Sequence, residues 1–199
     1  VEPTLIATFA LDTYIITPLA GAGGSISPPT LQTVQHGDDI TFTIAADTGY
    51  HIVDVGVDGV SQGALTSYTF SNVIADHTIS ATFAINQYTL TFESAGGTVI
   101  DPITQDYATA ITAPDAPTRT GYTFDGWSPE LPATMPAENL TVTAQWAINQ
   151  YTLTFDSAGG TAVAPITQDY ATTITAPDAP TRTGYTFDGW SPELPATMP

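Results

Sequence analysis

The feature that most constrains this chain is a long internal repeat. Residues 88–136 recur at residues 151–199, and only five of the 49 aligned positions differ. A repeat of this length therefore predicts a tandem array of small domains rather than one large fold.

A more distant unit precedes these two. Residues 7–17, A-T-F-A-L-D-T-Y-I-I-T, resemble residues 81–91, A-T-F-A-I-N-Q-Y-T-L-T. The glycine-rich segment 21–25 and the T-G-Y at 48–50 also have counterparts in the later units. We therefore predict a divergent first repeat over residues 14–84.

Both ends of the chain are out of phase with the repeat. Residues 4–10 resemble the last strand of a repeat whose other strands do not precede it in this sequence. The last unit has no counterpart of residues 137–147. We therefore expect the chain to be a fragment of a longer tandem array. The predicted parts are the last strand of a preceding repeat (1–13), a divergent repeat (14–84), a second repeat (85–147) and a third repeat without its final strand (148–199).

Hydrophobic and polar residues alternate at several places in the second repeat. Tyr88, Leu90 and Phe92 share one face of a predicted strand, because side chains alternate between the two faces. The proline-rich stretch 113–121 has room for only a turn or a short helix that begins at a proline. The four predicted strands cover residues 88–92, 105–112, 122–127 with a turn or bulge at Asp125–Gly126, and 141–147 with Val142, Ala144 and Trp146 pointing inward.

The small size of each unit predicts what its core contains. A unit of about 60 residues buries only about 60% of the surface of its unfolded chain, so its aromatic residues are expected to dominate the core. The connection over residues 147–150 is short and lacks glycine, which predicts stiff joints and an elongated rod. The predicted core set is Tyr88, Phe92, Tyr122, Phe124, Trp127 and Trp146.

Several motifs together carry a family resemblance. The order Y-T-L-T-F, A-G-G-T, A-P-T-R-T-G-Y-T-F-D-G-W and T-V-T-A-Q-W-A resembles the Listeria-Bacteroides repeat, the B repeat of internalin B. Residues 14–84 resemble the divergent form of that repeat. The resemblance implies a mainly β, α+β fold, in which a small β-grasp-like sheet of four strands wraps over a short helix or turn. It also implies a stalk or adhesion module in a secreted or wall-attached bacterial protein, and it implies no catalytic residue.

The composition excludes several classes of function. The chain has 20 acidic residues, two arginines and no lysine, for a net charge of -18. Such a chain is repelled by nucleic acid phosphates and by anionic membrane surfaces. No apolar run approaches the roughly 18 residues that a membrane-spanning helix requires. The absence of cysteine and lysine also rules out disulfides, thiolate metal sites, Schiff bases and Lys-Asn isopeptide crosslinks.

Few residues have the spacing of a metal site. His36, His51 and His77 are widely separated, without the local ligand pairs that zinc sites usually show. Residues 54–59, D-V-G-V-D-G, lack the regular oxygen ligands of a calcium loop, so a strand that ends in an Asp-Gly turn is the favoured interpretation. We therefore predict no catalytic, cofactor-binding or metal-binding residues.

The remaining candidates are surface or core residues. Trp127 and Trp190 follow Asp-Gly at equivalent positions, and a core role is favoured over stacking on a sugar ring. Asn139 begins the single glycosylation sequon, which is weak evidence for modification. The predicted ion pairs join Arg119 to Asp115 and Asp125, and Arg182 to Asp178 and Asp188.

Three functional hypotheses follow. The leading one is a non-enzymatic stalk or adhesive region of a bacterial protein, exposed at the cell surface or secreted. The second is a self-assembling filament, in which residues 4–10 of one molecule complete the last repeat of the next. The third is a module that binds a carbohydrate, a host receptor or a matrix ligand, with avidity supplied by repetition. The expected partners are neighbouring repeats, other copies of the chain and such a ligand, but neither nucleic acid nor membrane.

Overall fold

The structure, a computed structural model, describes residues 2–199; Val1 lies outside the described residues. The chain forms two compact units, and each is built from several segments. The first comprises residues 2–89, 104–110 and 134–138, and the second comprises residues 90–103, 111–133 and 139–199. All the elements described below are β-strands, so the prediction of a mainly β protein is confirmed.

The first repeat contains eight strands in two sheets, so the prediction of four strands per unit is wrong for this repeat. The strands are β1 (Thr13–Ala20), β2 (Gly24–Ser27), β3 (Gln32–Gln35), β4 (Ile40–Ala46), β5 (Tyr50–Val57), β6 (Val60–Ser61), β7 (Ser67–Phe70) and β8 (His77–Ile85). The five-stranded sheet has the order β3-β1-β8-β5-β6 and the three-stranded sheet the order β2-β4-β7. β1 and β8 pair in parallel, while the other recorded pairs are antiparallel.

One aliphatic core joins the two sheets of the first repeat. Ile16 and Ile79 come from the larger sheet and Ile26 and Phe42 from the smaller one, and all four are at most 1% exposed. Alternate residues of each strand are buried, as in β4, where Phe42 and Ile44 face inward between exposed threonines. The period-2 pattern in the sequence therefore sets the core.

The second repeat contains four strands, and three of them match the predicted strands within one residue at each end. They are β9 (Gln87–Glu93), β10 (Ile103–Asp106), β11 (Tyr122–Ser128) and β12 (Leu140–Ile148), in the sheet order β10-β9-β12-β11. β12 pairs in parallel with β9 and antiparallel with β11. The register shifts between Phe124 and Trp127, where Gly126 has a φ of 104°, so the bulge predicted at Asp125–Gly126 is confirmed.

The strand predicted over residues 105–112 is wrong in its bounds. β10 begins earlier and ends at Asp106, because the chain turns at Tyr107–Ala108, where Ala108 has a φ of 59°. The side-chain amide of Gln105 then donates hydrogen bonds to the carbonyls of Thr109 and Ala110 and fixes the turn.

The connector over residues 113–121 is not a helix, and the described residues 2–199 contain no helix at all. Pro114 and Pro117 cannot supply the N–H groups that a helix needs. Instead, Thr118 accepts a hydrogen bond from the N–H of Thr98 and donates its own N–H to the Thr98 hydroxyl. The connector is therefore tied to the A-G-G-T turn without regular secondary structure, apart from a bridge at Arg119 and a turn at Thr120–Gly121, and the short helix implied by the family resemblance is absent from the described residues.

The core of the second repeat is more aliphatic than predicted. Of the six aromatic residues expected there, only Phe92 is buried, and the other five are half-buried. The buried positions are mostly smaller side chains that alternate on the inner faces of β9 and β12. Leu90 and Val142 are fully buried, and Ala144 is 3% exposed. The inward orientation predicted for Val142 and Ala144 is thus confirmed, whereas Trp146 lies at the margin of the core.

The third repeat contains one hairpin, of β13 (Gln150–Leu153) with β14 (Ile166–Asp169). Residues 154–165 and 170–199 contain no strand, apart from isolated bridges at Thr173 and Arg182. Residues 2–12 likewise have no regular secondary structure. Their apolar side chains face outward, with Leu5 96% and Phe9 95% exposed.

Candidate interaction surface

An open groove lies between the A-G-G-T turn and the connector of the second repeat. Its volume is about 720 Å³. The turn contributes Gly96 and Gly97, the connector contributes Arg119, and the neighbouring strands contribute aromatic rings, among them Tyr122 and Trp146. The groove therefore brings the one cation of this repeat together with aromatic rings.

Arg119 is held in this groove by a backbone carbonyl and an aromatic ring. Its Nη1 donates to the carbonyl of Ala95 at 3.2 Å, and its guanidinium carbon lies 3.8 Å from the centre of the Tyr122 ring. The ion pairs predicted with Asp115 and Asp125 are wrong, since Arg119 forms none within residues 2–199. A guanidinium that stacks on an aromatic face is stabilised by the ring quadrupole without a carboxylate partner.

The turn beside Arg119 requires glycine for steric reasons. A Cβ placed on Gly97 would lie 2.5 Å from Cζ2 of Trp146. The indole N–H of Trp146 donates to the carbonyl of Ser94 at 3.0 Å, which ties β12 to this turn. The A-G-G-T motif thus allows the tryptophan ring to approach the backbone closely.

The third repeat repeats the arginine contact in a smaller groove. Arg182 donates its Nη1 to the carbonyl of Ala158 at 2.9 Å and lies 4.1 Å from the centre of the Tyr185 ring. The groove has a volume of about 160 Å³. Within residues 2–199 Arg182 pairs with neither Asp178 nor Asp188, so this prediction is wrong as well.

In each of these two repeats the arginine of the connector contacts the A-G-G turn and a neighbouring tyrosine, an arrangement that we call the arginine staple. Each guanidinium contacts a backbone carbonyl and an aromatic ring, and these contacts hold the connector against the turn. The carbohydrate-binding and receptor-binding hypothesis remains a prediction, with the groove of the second repeat as the place to test it.

The two candidate tryptophans belong to aromatic clusters. Trp127 lies 5.1 Å from Phe92 and 5.2 Å from Phe124, between ring centres, in edge-to-face contacts. Trp190 lies 4.9 Å from Phe155, and Phe187 is close to it as well. Both rings are half-buried. These contacts place both rings in aromatic clusters at the margin of the core, which favours a packing role over stacking on a sugar.

The three histidines lie in separate contacts. His36 bonds to the hydroxyl of Tyr14, at 3.3 Å from Nδ1. His51 contacts Asn86, and His77 contacts Asp58, both at 2.6 Å from Nδ1. Among the residues that the structure describes, no group of three or more His, Asp or Glu side chains is arranged to hold a metal ion.

The Asp-Gly turn predicted for residues 54–59 is confirmed. β5 ends at Val57, and Asp58 and Gly59 follow with φ values of 49° and 79°. The Asp58 carboxylate accepts the N–H of Thr78 at 2.8 Å and contacts His77 at 2.6 Å. The hydrogen bond from the Thr78 N–H, and after it the one from His77, lower the pKa of Asp58 from its ordinary value.

Sequence reasoning overlooked one group of contact residues. Asn86 and Tyr107 lie at the connection between the first and second repeats, and Asn149 and Tyr170 occupy the equivalent positions at the next connection. The recurrence of A-I-N-Q-Y and I-T-Q-D-Y was the signal, since both motifs are present twice. Asn139 of the sequon is exposed directly before β12. None of the described residues forms a helix long and apolar enough to cross a membrane.

The fold and these contacts define a tandem-repeat β protein whose second and third repeats share a hairpin and an arginine contact. Comparison with known families gives the same assignment. Residues 88–145 and 151–194 match the Listeria-Bacteroides repeat domain, and residues 14–87 match the divergent InlB B-repeat domain. The chain therefore belongs to the Listeria-Bacteroides repeat family, with a divergent B repeat as its first unit. The predicted family resemblance is confirmed.

Two relatives place the repeats in longer proteins. A protein of Evansella cellulosilytica, named as a Gly-rich membrane protein, is 36% identical over 95% of this chain. Internalin H of Listeria monocytogenes is 35% identical over 67% of the chain. The matches cover 23% and 26% of those proteins, so the chain spans about a quarter of the length of these relatives.

Proposed function

We propose that this segment is a non-enzymatic stalk or spacer of a bacterial protein that is exposed at the cell surface or secreted. The observation that carries the proposal is the length of the connections between repeats. β8 ends at Ile85 and β9 begins at Gln87, while β12 ends at Ile148 and β13 begins at Gln150. A single residue between consecutive strands leaves no flexible linker, which is what a spacer of defined length requires.

Small-angle scattering of the 199-residue polypeptide tests the spacer role. Three units of about 25 to 30 Å in a row make a rod of about 80 Å, with a radius of gyration of about 24 Å. A compact domain of the same length has a radius of gyration of about 16 Å. A value near 16 Å contradicts the proposal.

The location is tested separately on the bacterium that makes the protein. Antibodies raised against the folded polypeptide should label intact cells or bind secreted protein in the culture medium. The names of the two relatives, a membrane protein and an internalin, support a surface location. Labelling that appears only after the cells are permeabilised contradicts the proposal.

The exposed N-terminal segment favours a second candidate, head-to-tail assembly by strand donation. Counting back from Tyr14, which aligns with Tyr151, places Leu5, Ala7 and Phe9 where β12 has its inward residues Val142, Ala144 and Trp146. Leu5 and Phe9 are almost fully exposed. In the third repeat Tyr185 is 68% and Phe187 39% exposed, in the segment whose counterpart pairs with β12. A second copy of the chain is the proposed source of the missing strand.

Sedimentation velocity over a range of concentrations tests strand donation. We expect the polypeptide to associate, and Phe9→Ser to weaken association by about tenfold to a hundredfold through loss of a buried ring. Ile6→Ser is the matched control, because the alternation places Ile6 on the outer face. A polypeptide that stays monomeric at all concentrations, or equal effects of the two substitutions, contradicts this candidate.

A further inference from the structure

Both connections between repeats are built in the same way around a glycine. Gly49 and Gly121 lie in T-G-Y turns with φ values of 79° and 78°, the left-handed region that favours glycine. The repeats that hold these two turns differ in most of their sequence and in their number of strands. The shared turn therefore calls for a local explanation.

The ring of a tyrosine from the following repeat lies directly over each of these glycines. A Cβ placed on Gly49 would lie 2.0 Å from Cδ1 of Tyr107. A Cβ placed on Gly121 would lie 2.1 Å from Cδ1 of Tyr170. Neither position has room for a methyl group unless the tyrosine moves. The close approach thus demands glycine independently of its φ angle.

The single residue between the strands closes the contact from the other side. At the second connection, the N–H of Asn149 donates to the carbonyl of Gly121, and its carbonyl accepts the N–H of Tyr170, both at 2.9 Å. The side-chain oxygen of Asn149 also accepts the hydroxyl of Thr123 at 2.6 Å. One asparagine therefore bonds to the preceding repeat and to the following one.

The first connection has the same arrangement with one changed partner. Asn86 donates its N–H to the carbonyl of Gly49 at 2.8 Å and accepts the N–H of Tyr107 at 2.9 Å. Its side-chain oxygen contacts Nδ1 of His51 at 2.6 Å, where the second connection has a threonine. The backbone bonds and the ring over the glycine are the features that both connections share.

We propose that each T-G-Y turn is a docking socket whose partner is the following repeat, recognised through the asparagine of A-I-N-Q-Y and the tyrosine of I-T-Q-D-Y. The socket fixes the orientation of a repeat relative to the one before it. It also makes the first strand of a repeat depend on the turn of its predecessor. The inference does not rest on the spacer role, because it concerns the connections themselves.

The third repeat supplies a matched control within the same chain. Gly184 lies in an identical T-G-Y turn with a φ of 80°, but among the described residues no atom beyond its own chain neighbours comes within 4 Å of a Cβ placed on it. Gly184→Ala and Gly121→Ala therefore impose the same backbone strain. Only Gly121→Ala pushes against a docked ring.

Spin-label distances measure the effect on orientation. The chain has no cysteine, so Asp101→Cys and Ala164→Cys, two exposed and equivalent positions, label the second and third repeats uniquely. Electron double resonance should give one narrow distance distribution for the parent and for Gly184→Ala. Gly121→Ala should broaden it, and hydrogen exchange at the Asn149 and Tyr170 amides should accelerate by about tenfold or more.

Tyr170→Ala provides an independent test from the other side of the contact, because it removes the docked ring without straining the turn. It should broaden the same distance distribution, while circular dichroism verifies that the chain remains folded. The proposal is overturned if Gly121→Ala and Gly184→Ala give the same distance distributions and amide exchange rates. It is also overturned if Tyr170→Ala, in a folded chain, leaves the distribution narrow.

Discussion

The second and third repeats are nearly identical in sequence, yet they differ in structure. Both form the hairpin that corresponds to β9 and β10, and both bury a methionine, since Met135 and Met198 are each 1% exposed. Only the second repeat forms a strand over Y-T-F-D-G-W. The difference lies in β12, the strand between β9 and β11, which has no counterpart among residues 148–199.

The comparison separates local from non-local structure. The hairpin forms wherever its own residues are present, because its two segments are close in sequence. The strand over Tyr122–Ser128 depends on β12 as a hydrogen-bonding partner and as a source of buried side chains. Identical residues at 185–191 therefore stay without regular structure. Strand preference in the sequence is realised only when the sheet provides a neighbour.

The largest effect is expected from supplying the missing strand. Appending A-E-N-L-T-V-T-A-Q-W-A, the sequence of residues 137–147, after Pro199 should complete the sheet of the third repeat. The stability of that repeat should rise by roughly 5 kcal/mol, because each large apolar side chain contributes about 1.5 to 3 kcal/mol when buried. Urea denaturation and amide exchange over residues 185–191 measure the gain.

The control for this extension carries serine in place of its valine and its tryptophan. It retains the backbone groups but loses most of the buried apolar surface. If both extensions protect residues 185–191 equally, the inward side chains of β12 do not explain the difference between the repeats.

A smaller effect is expected from one substitution made in both repeats. Leu90 is fully buried, whereas Leu153 at the equivalent position is half-buried. Leu90→Ala should lower the free energy of unfolding by about 3 kcal/mol, and Leu153→Ala by less than about 1 kcal/mol. Denaturation of the two variants side by side checks the difference. Equal losses would mean that the third repeat is already as well packed as the second.

The smallest effect is a loss of stability at acidic pH, which should be confined to the first repeat. The pKa of Asp58 is held below its ordinary value of 3.8 by the Thr78 N–H and by His77. The stabilisation is therefore fully present above that value and is lost as the pH falls through the lowered pKa. Asp58→Asn should cost about 1 kcal/mol at pH 7, because both side chains are partly exposed.

The measurement is thermal unfolding of the parent and of Asp58→Asn at pH 7 and at pH 2, with amide exchange to assign the transition to a repeat. The difference in melting temperature between the parent and Asp58→Asn should be smaller at pH 2 than at pH 7. A difference that stays constant would show that the charge of Asp58 contributes nothing.

The sequence predicted three of the four strands of the second repeat within one residue of their ends, because their patterns are local. Alternation marked β9 and β12, and the Asp-Gly pairs marked a bulge at Gly126 and a turn at Asp58. The strand predicted over residues 105–112 was misplaced because the left-handed backbone at Ala108, which carries a side chain, gives no sequence signal. Proline content set the limits of the connector but did not show that Thr118 would bond to Thr98 instead of starting a helix.

The interaction surface was harder to predict for a physical reason. Charge alone suggested carboxylate partners for Arg119, but the fold brings a carbonyl and an aromatic ring to its guanidinium. The contact between Tyr170 and Gly121 joins residues that are far apart in the sequence, and only the folded sheet brings them together. Pattern reasoning finds periodic faces more readily than such contacts.

The arginine staple has a consequence for proteolysis. A chain without lysine offers trypsin only Arg119 and Arg182 as cleavage positions. Arg119 is half-buried in the second repeat, whereas Arg182 is exposed in the third repeat, where residues 148–199 include no counterpart of β12. Cleavage by trypsin requires an accessible and locally mobile backbone. The 199-residue polypeptide therefore contains one shielded and one open tryptic site in the same sequence context, and its digestion should begin at Arg182.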